Sequence, residues 1–331
     1  MAPYKDNVNK TTVETNARIK EIEGLLQRVL QEQDVKEGSS LSFPGYVTDF
    51  PLPPGECFVG RKRIIDKVVE ELIHKESCYL YSMGGIGKTE IAKKVINKLE
   101  NILSVDSGIE RIAWINYQDR NLKLSICKGL FETRNIDDIN QAWGKSLSLF
   151  RQYKDKMLIV IDNIEESVED EFLKLVEHTK CRFLITSRWD GFHVLKKIPV
   201  EELSLEESLS LFNYYYTGRK NNLIASEIIQ LVECHTVMVE LLAKIAATEE
   251  WTLNEFKQRL VCAGFKVSEE EVSSSHSELK KERKVIEQLK ILYKVIGCNR
   301  EEEQLLVKIS VMPSMPFPFS KAKNWLRDSY R

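Results

Sequence analysis

At 331 residues, with 43% hydrophobic and 30% charged side chains, the chain has an ordinary globular composition and is long enough for two or three compact units. A net charge of −2 gives no global pull toward nucleic acid or an anionic membrane, and no apolar run approaches the ~18 residues of a membrane span. Seven scattered cysteines form neither a disulfide framework nor a CxxC metal site, so the expected compartment is a reducing cytoplasm.

Residues 1–34 are expected to hold one N-terminal helix, because Ile19, Ile22, Leu26 and Val29 recur at a/d spacing among glutamates and lysines. Two heptads do not make a coiled coil, which leaves a helix packed on its own domain or a protein-docking helix. Residues 35–56 carry Gly38, Ser39, Ser40, Pro44, Pro51, Pro53, Pro54 and Gly55 and read as a linker. Phe58-Val59-Gly60-Arg61 then precedes a helix with Ile64, Ile65, Val68, Val69 and Leu72 on one face. The short motif is either a turn capping that helix or a segment that closes over a base and brings Arg61 to a nucleotide.

The next stretch, Tyr79 to Lys88, organises the chain. A short apolar strand runs into Ser82-Met83-Gly84-Gly85-Ile86-Gly87-Lys88-Thr89-Glu90, after which Ile91, Ala92, Val95, Ile96 and Leu99 fall on one helical face. Strand, glycine loop, Gly-Lys-Thr and helix are the parts of a phosphate-binding loop. Glycines let backbone N–H groups turn inward on phosphate oxygens, and the helix N-terminus adds partial positive charge. Lys88 can reach the β- and γ-phosphates, and the Thr89 hydroxyl can ligate Mg²⁺. Ser82 stands where the general pattern has its first glycine.

Beyond it, Ile112 to Ile115 reads as the core of a strand, followed by helices near 121–133 and 138–152. Met157-Leu-Ile-Val-Ile-Asp162 is an apolar strand that delivers an acid at its carboxyl end, where Asp162 can hold Mg²⁺ beside Thr89. A helix from about 167 leads to a second such strand, 181–187, ending in Arg188, placed to sense a γ-phosphate. Val194 to Val200 makes a further strand, and Pro199 sends it to an edge. From Leu203 onward the pattern is helical. Ser204/Glu207 and Thr252/Glu255 are capping boxes, with helices between them near 223–234 and 237–247. Residues 268–284 are acidic and serine-rich, then lysine-rich, and read as a solvated connection before a helix at 285–296.

With these pieces placed, the chain resembles the NB-ARC type of signal-transducing (STAND) P-loop NTPases, the switch ATPases of resistance and apoptotic proteins and of many bacterial regulators. Phe58-Val-Gly-Arg61, Ser82-Met-Gly-Gly-Ile-Gly-Lys-Thr89, Leu158-Ile-Val-Ile-Asp-Asn163, Ile185-Thr-Ser-Arg188 and Leu203-Ser-Leu-Glu-Glu207 carry the resemblance, over roughly residues 56–331. It implies an α/β P-loop NTPase fold, a parallel sheet flanked by helices, at 57–203. An α-helical ARC-like domain follows at 204–267, then the charged connection at 268–284 and a partial winged-helix domain at 285–331. It also implies ATP/ADP and Mg²⁺ as cofactors, with Val59, Arg61, Met83, Gly84, Gly85, Ile86, Gly87, Lys88, Thr89, Glu90 and Met238 around the nucleotide. Thr89 and Asp162 would hold the metal, and Asp162, Arg188 and Glu165 would serve hydrolysis. Asn163 stands where many members have a second acid, leaving Glu165 or Glu166 for that role. Thr236 and Met238 replace the family's Gly and Pro, and the winged helix is left unfinished, as in a fragment of a longer protein. The implied function is a slow ATPase switch controlling assembly with other protein chains in a defence or regulatory pathway. The alternatives are a nucleotide-binding scaffold without turnover and a winged-helix DNA-binding regulator; the charge balance argues against nucleic acid.

Overall fold

The computed structural model describes residues 45–48, 57–102, 104–117, 120–131, 136–164, 168–249, 251–266 and 277–296. The expected N-terminal helix, most of the 35–56 linker, Glu165, and the winged-helix stretch from 297 lie outside the described residues.

Six strands form one parallel sheet: β1 (Gly45–Tyr46), β2 (Cys78–Tyr81), β3 (Arg111–Asn116), β4 (Met157–Ile164), β5 (Arg182–Ser187) and β6 (Lys196–Pro199), in the spatial order β1-β3-β4-β5-β2-β6. The central strands are apolar almost throughout because both faces are covered. Strand alternation sorts their side chains. Leu80, Ile112, Trp114, Leu158, Val160 and Leu184 face one cluster with α1 (Lys62–Ile73) and α2 (Lys88–Glu100). Tyr79, Ala113, Ile115, Ile159, Ile161, Phe183 and Ile185 face the other, with α4 (Leu122–Leu130), α5 (Ile136–Tyr153) and α6 (Glu169–Thr179). A one-turn helix, α3 (Ser104–Ser107), links α2 to β3.

A third cluster belongs to the helices after β6: α7 (Leu205–Tyr215), α8 (Asn222–Gln230), α9 (Thr236–Thr248) and α10 (Leu253–Ala263). Both capping boxes form, Ser204 with Glu207 at α7 and Thr252 with Glu255 at α10. Gly264, at φ 115, ends α10 in the left-handed conformation that glycine adopts without a Cβ penalty.

Three stretches differ from the sequence expectation. Gly45–Tyr46, inside the linker, adds a parallel edge strand to β3, and Thr48 Oγ1 accepts the Trp114 N–H at 2.7 Å. α3 was not expected. Helix α11 runs from Ser277 to Ile296, so the second half of the charged connection is helical. Its lysines find partners: Lys281 lies 2.9 Å from Glu202, and Lys284 pairs with Glu233. β6 does take a sheet edge, which spares Pro199 from donating inside the sheet.

Candidate functional site

β2 stops at Tyr81, the chain turns through residues 82–87, and α2 opens at Lys88. Gly85 and Gly87 hold φ 78 and φ 103, values that side-chain-bearing residues rarely adopt. Met83 and Ile86 are buried in the core and pin the loop, so its backbone rather than its side chains faces outward. Gly87 caps α2 without a side chain, and the first N–H groups of a thirteen-residue helix are left for whatever enters the loop.

Lys88 is 8% exposed and folds back over the strand end, its Nζ donating to the carbonyls of Ser82 and Met83 at 2.7 Å each. Thr89 Oγ1 donates to the Asp162 carboxylate at 2.9 Å, joining the start of α2 to the end of β4. A bulge between Ile161 and Ile164 interrupts the β4–β5 ladder there, and Asn163 within it has φ 68. Thr186 of β5 bridges the bulge: its hydroxyl donates to Asp162 Oδ1 at 2.5 Å and accepts the Asn163 N–H at 2.8 Å. Burial pushes the Asp162 carboxyl above its ordinary value, against hydrogen bonds from Thr186 and Thr89 and the charges of Lys93 and Lys88.

That environment fits a divalent cation, which would favour the ionised form that burial opposes. Among the described residues no three His, Cys, Asp or Glu side chains cluster as a metal cage. The donors at this place are one carboxylate and one hydroxyl, hard oxygens of the set that Mg²⁺ completes with phosphate and water.

Arg188, exposed at the end of β5, reaches the loop from the other side: a Cβ on Gly84 would lie 3.6 Å from its Nη1. Arg61, at φ 66, caps α1 and sends Nη1 to the Glu201 carbonyl and Nη2 to the Ile86 carbonyl at 3.4 Å. A cleft of about 590 Å³ opens beside it, lined by Gly60, Arg61, Lys67, Pro199, Glu202 and Glu207 among others. Gly60 holds φ 67, which glycine adopts without a Cβ penalty, and a Cβ there would also fall 2.0 Å from Glu207 Oε1 and displace that side chain of the α7 capping box. Val59 packs half-buried on the helical cluster, and Glu90 pairs with Lys93 at 2.8 Å.

The structure thus brings Arg61, the glycine loop, Lys88, Thr89, Asp162 and Arg188 together; Glu165 lies outside the described residues. Met238 is set apart. Its side chain is fully buried in the helical core, so it is not offered to a ligand at the loop. The residues of that segment which do touch the loop are His235, Thr236 and Val237, through the carbonyls of Gly84, Ile86 and Gly85. Sequence reasoning gave none of these a contact with the loop, nor Thr186 its bridge. Thr236 stood only as the replacement for a family glycine and Thr186 only within the Ile185–Arg188 strand end, while His235 and Val237 had no signal beyond lying just ahead of a helix.

Residues 61–222 match the family model of the NB-ARC domain. The chain is 26% identical over 181 residues to a probable disease resistance protein of Arabidopsis thaliana, covering 48% of this chain and 22% of the relative. It is 28% identical over 172 residues to a second one from the same plant, covering 47% and 18%. The chain therefore spans about a fifth of the length of these curated relatives. Among solved structures, a STAND protein with a tetratricopeptide repeat sensor from Pyrococcus horikoshii aligns over 70% of this chain and 40% of its own, at 17% identity and a TM-score of 0.39. A Walker-type ATPase of Pyrococcus abyssi aligns over 85% and 92%, at 11% identity and a TM-score of 0.46.

Proposed function

Residues 61–222 are an NB-ARC domain, and from that premise we propose that the chain is the ATP/ADP-binding core of a signal-transduction switch that hydrolyses ATP slowly. One observation carries the reading: a glycine loop opens a helix with no side-chain cap, whose first two residues, Lys88 and Thr89, stand over β4 where it carries Asp162 near its carboxyl end. Lys88 exchanges the Ser82 and Met83 carbonyls for β- and γ-phosphate oxygens. Thr89 and Asp162 would hold Mg²⁺, which supplies charge neutralisation on the phosphates when bound. Arg188, beside Gly84, would register the γ-phosphate, and Arg61 with Val59 would flank the base. Change at the loop passes to α9 and the rest of the helical unit, and the output is assembly with other protein chains through a longer protein, in a defence or regulatory pathway of the cytoplasm. No helix among the described residues is long and apolar enough to cross a membrane.

A second reading, a nucleotide-binding scaffold without turnover, is favoured by Asn163. It places an amide, not a carboxylate, directly after Asp162 at the bulge. Calorimetric titration with ATP and ADP, with and without Mg²⁺, tests the site, and single-turnover hydrolysis of bound ATP separates the two readings. Absence of binding by either nucleotide would overturn both. Binding without any release of phosphate would leave the scaffold.

A further inference from the structure

Helix α9 meets the phosphate loop end-on. Its cap and first two residues take three consecutive loop carbonyls. His235 Nε2 lies 3.0 Å from Gly84 O, the Val237 N–H donates to Gly85 O at 3.2 Å, and Thr236 Oγ1 donates to Ile86 O at 3.2 Å. A carbonyl and the N–H of the following residue point in opposite directions across a planar trans peptide. Carbonyls turned toward α9 therefore leave the N–H groups of Gly85, Ile86 and Gly87 turned to the other side, the inside of the loop.

His235 is the cap of α9 and is engaged at both ring nitrogens. Nδ1 faces the Met238 N–H at 3.4 Å and can only accept from it, so the ring proton sits on Nε2 and is donated to Gly84 O. The ring is 4% exposed, and a Cβ on Gly85 would come within 2.7 Å of its Cε1, so it has little room to turn.

Resting on the reading of this loop as a phosphate site, we propose that His235 is a positioning residue. Its neutral imidazole clamps the helical unit onto the phosphate loop and keeps the loop N–H groups facing the phosphates, and a second proton on Nδ1 opens the clamp. That proton would meet the Met238 N–H donor to donor, costing the cap, and would bury a charge at the junction; the Nε2–H donation to Gly84 persists and favours the charged form, but burial outweighs it. The charges around the ring are mixed. Lys88, from the start of α2, opposes an imidazolium; Glu202, from the β6–α7 connector, favours one but is itself paired with Lys281 of α11. Burial is the largest influence and lowers the imidazole below its ordinary value. The docked state thus binds the proton less tightly than an exposed imidazole. Docking is fully favoured above the exposed value of ~6.5 and weakens as pH falls through the depressed one.

Hydrogen exchange across residues 234–241, corrected for its intrinsic pH dependence, reads docking without nucleotide; dissociation of a fluorescent ADP reads the loop. Between pH 7.5 and 5.5, Val237 protection in the wild-type protein should fall by up to about tenfold, the factor by which an exposed imidazole gains its proton over that range, and ADP should leave faster in parallel. H235N keeps an oxygen where Nδ1 caps the helix but cannot reach Gly84. It should melt close to wild type yet show weak Val237 protection and fast ADP release at both pH values. H235Q retains a donor of the right reach and has no proton to gain, so its protection should be the same at both. Wild-type protection that ignores pH, or H235N protection equal to wild type, overturns the proposal. Failure of ADP to bind at either pH, with the pH-dependent protection intact, would instead overturn the nucleotide reading and leave the clamp standing.

Discussion

Asp162 carries opposite demands at the level of single residues. Its carboxyl is raised by burial, so the folded state holds its proton more tightly than the unfolded chain does. Ionisation therefore subtracts stability as pH rises above the ordinary carboxylate range, and neutral pH keeps a cost that a cation relieves. We expect Asp162→Asn to melt higher than wild type without metal, because the amide oxygen can still accept from Thr89 and Thr186. The same variant should lose the extra stability that Mg²⁺ with ATP confers on the wild type. Thermal melts with and without Mg-ATP read both effects, and a variant that melts lower in the absence of metal would mean that Asp162 is structural. On the proposed role of Lys88, Lys88→Ala would remove one charge-assisted contact to phosphate, worth ~1.5–3 kcal/mol, and should weaken ADP binding about tenfold to a hundredfold. Unchanged affinity by calorimetry would sink the role given to Lys88.

At the scale of elements, Arg182 shows how the sheet is tied to its helices. It opens β5, is 1% exposed, and its guanidinium donates to the carbonyls of Leu72, Ser107 and Gly108 at 2.7, 2.7 and 2.8 Å. Two of those carbonyls end helices α1 and α3, where a cation also complements the helix dipole. Arg182→Met would leave all three without this donor, so urea unfolding should show a loss on the order of 3 kcal/mol. A loss under about 0.5 kcal/mol would mean that water replaces the guanidinium freely. This pin was not legible in the sequence, where Arg182 is one arginine ahead of an apolar run. The run itself was legible, as were β2, β3 and β4, because strands covered on both faces need unbroken apolar residues. The capping boxes were legible because their chemistry is complete within four residues. β1 was not: two residues held by backbone bonds to a neighbouring strand leave no side-chain period. Thr89 beside Asp162 could be read from motif chemistry, whereas His235 and Gly84, 151 residues apart, meet only through the docking of two units.

For the whole molecule, helix α11 is placed to influence how firmly those two units stay docked. Val285 packs against both the sheet-and-α1/α2 cluster and the helical cluster, so the helix lies across their junction. Lys281 pairs with Glu202, on the connector whose carbonyl takes Arg61, and Lys284 pairs with Glu233, two residues before the His235 clamp. Gln288, buried on the same helix, donates to the Leu231 carbonyl at 2.9 Å. Each ion pair is partly exposed, so each contributes only about 0.2–1 kcal/mol and is screened by salt. That is small beside the stability of either core, yet it acts at the place where closure is set. Reversing both lysines, Lys281→Glu with Lys284→Glu, sets like charges against Glu202 and Glu233. Global unfolding should change little, while exchange of the 231–238 amides should rise by about twofold to thirtyfold, the range that two such pairs allow. In wild type, the same amides should exchange faster as salt is raised from 0.05 to about 0.5 M, and the reversed variant should respond in the opposite sense. Equal exchange in the two proteins at low salt would show that α11 is a passenger on the helical unit, and that docking is set at the loop alone.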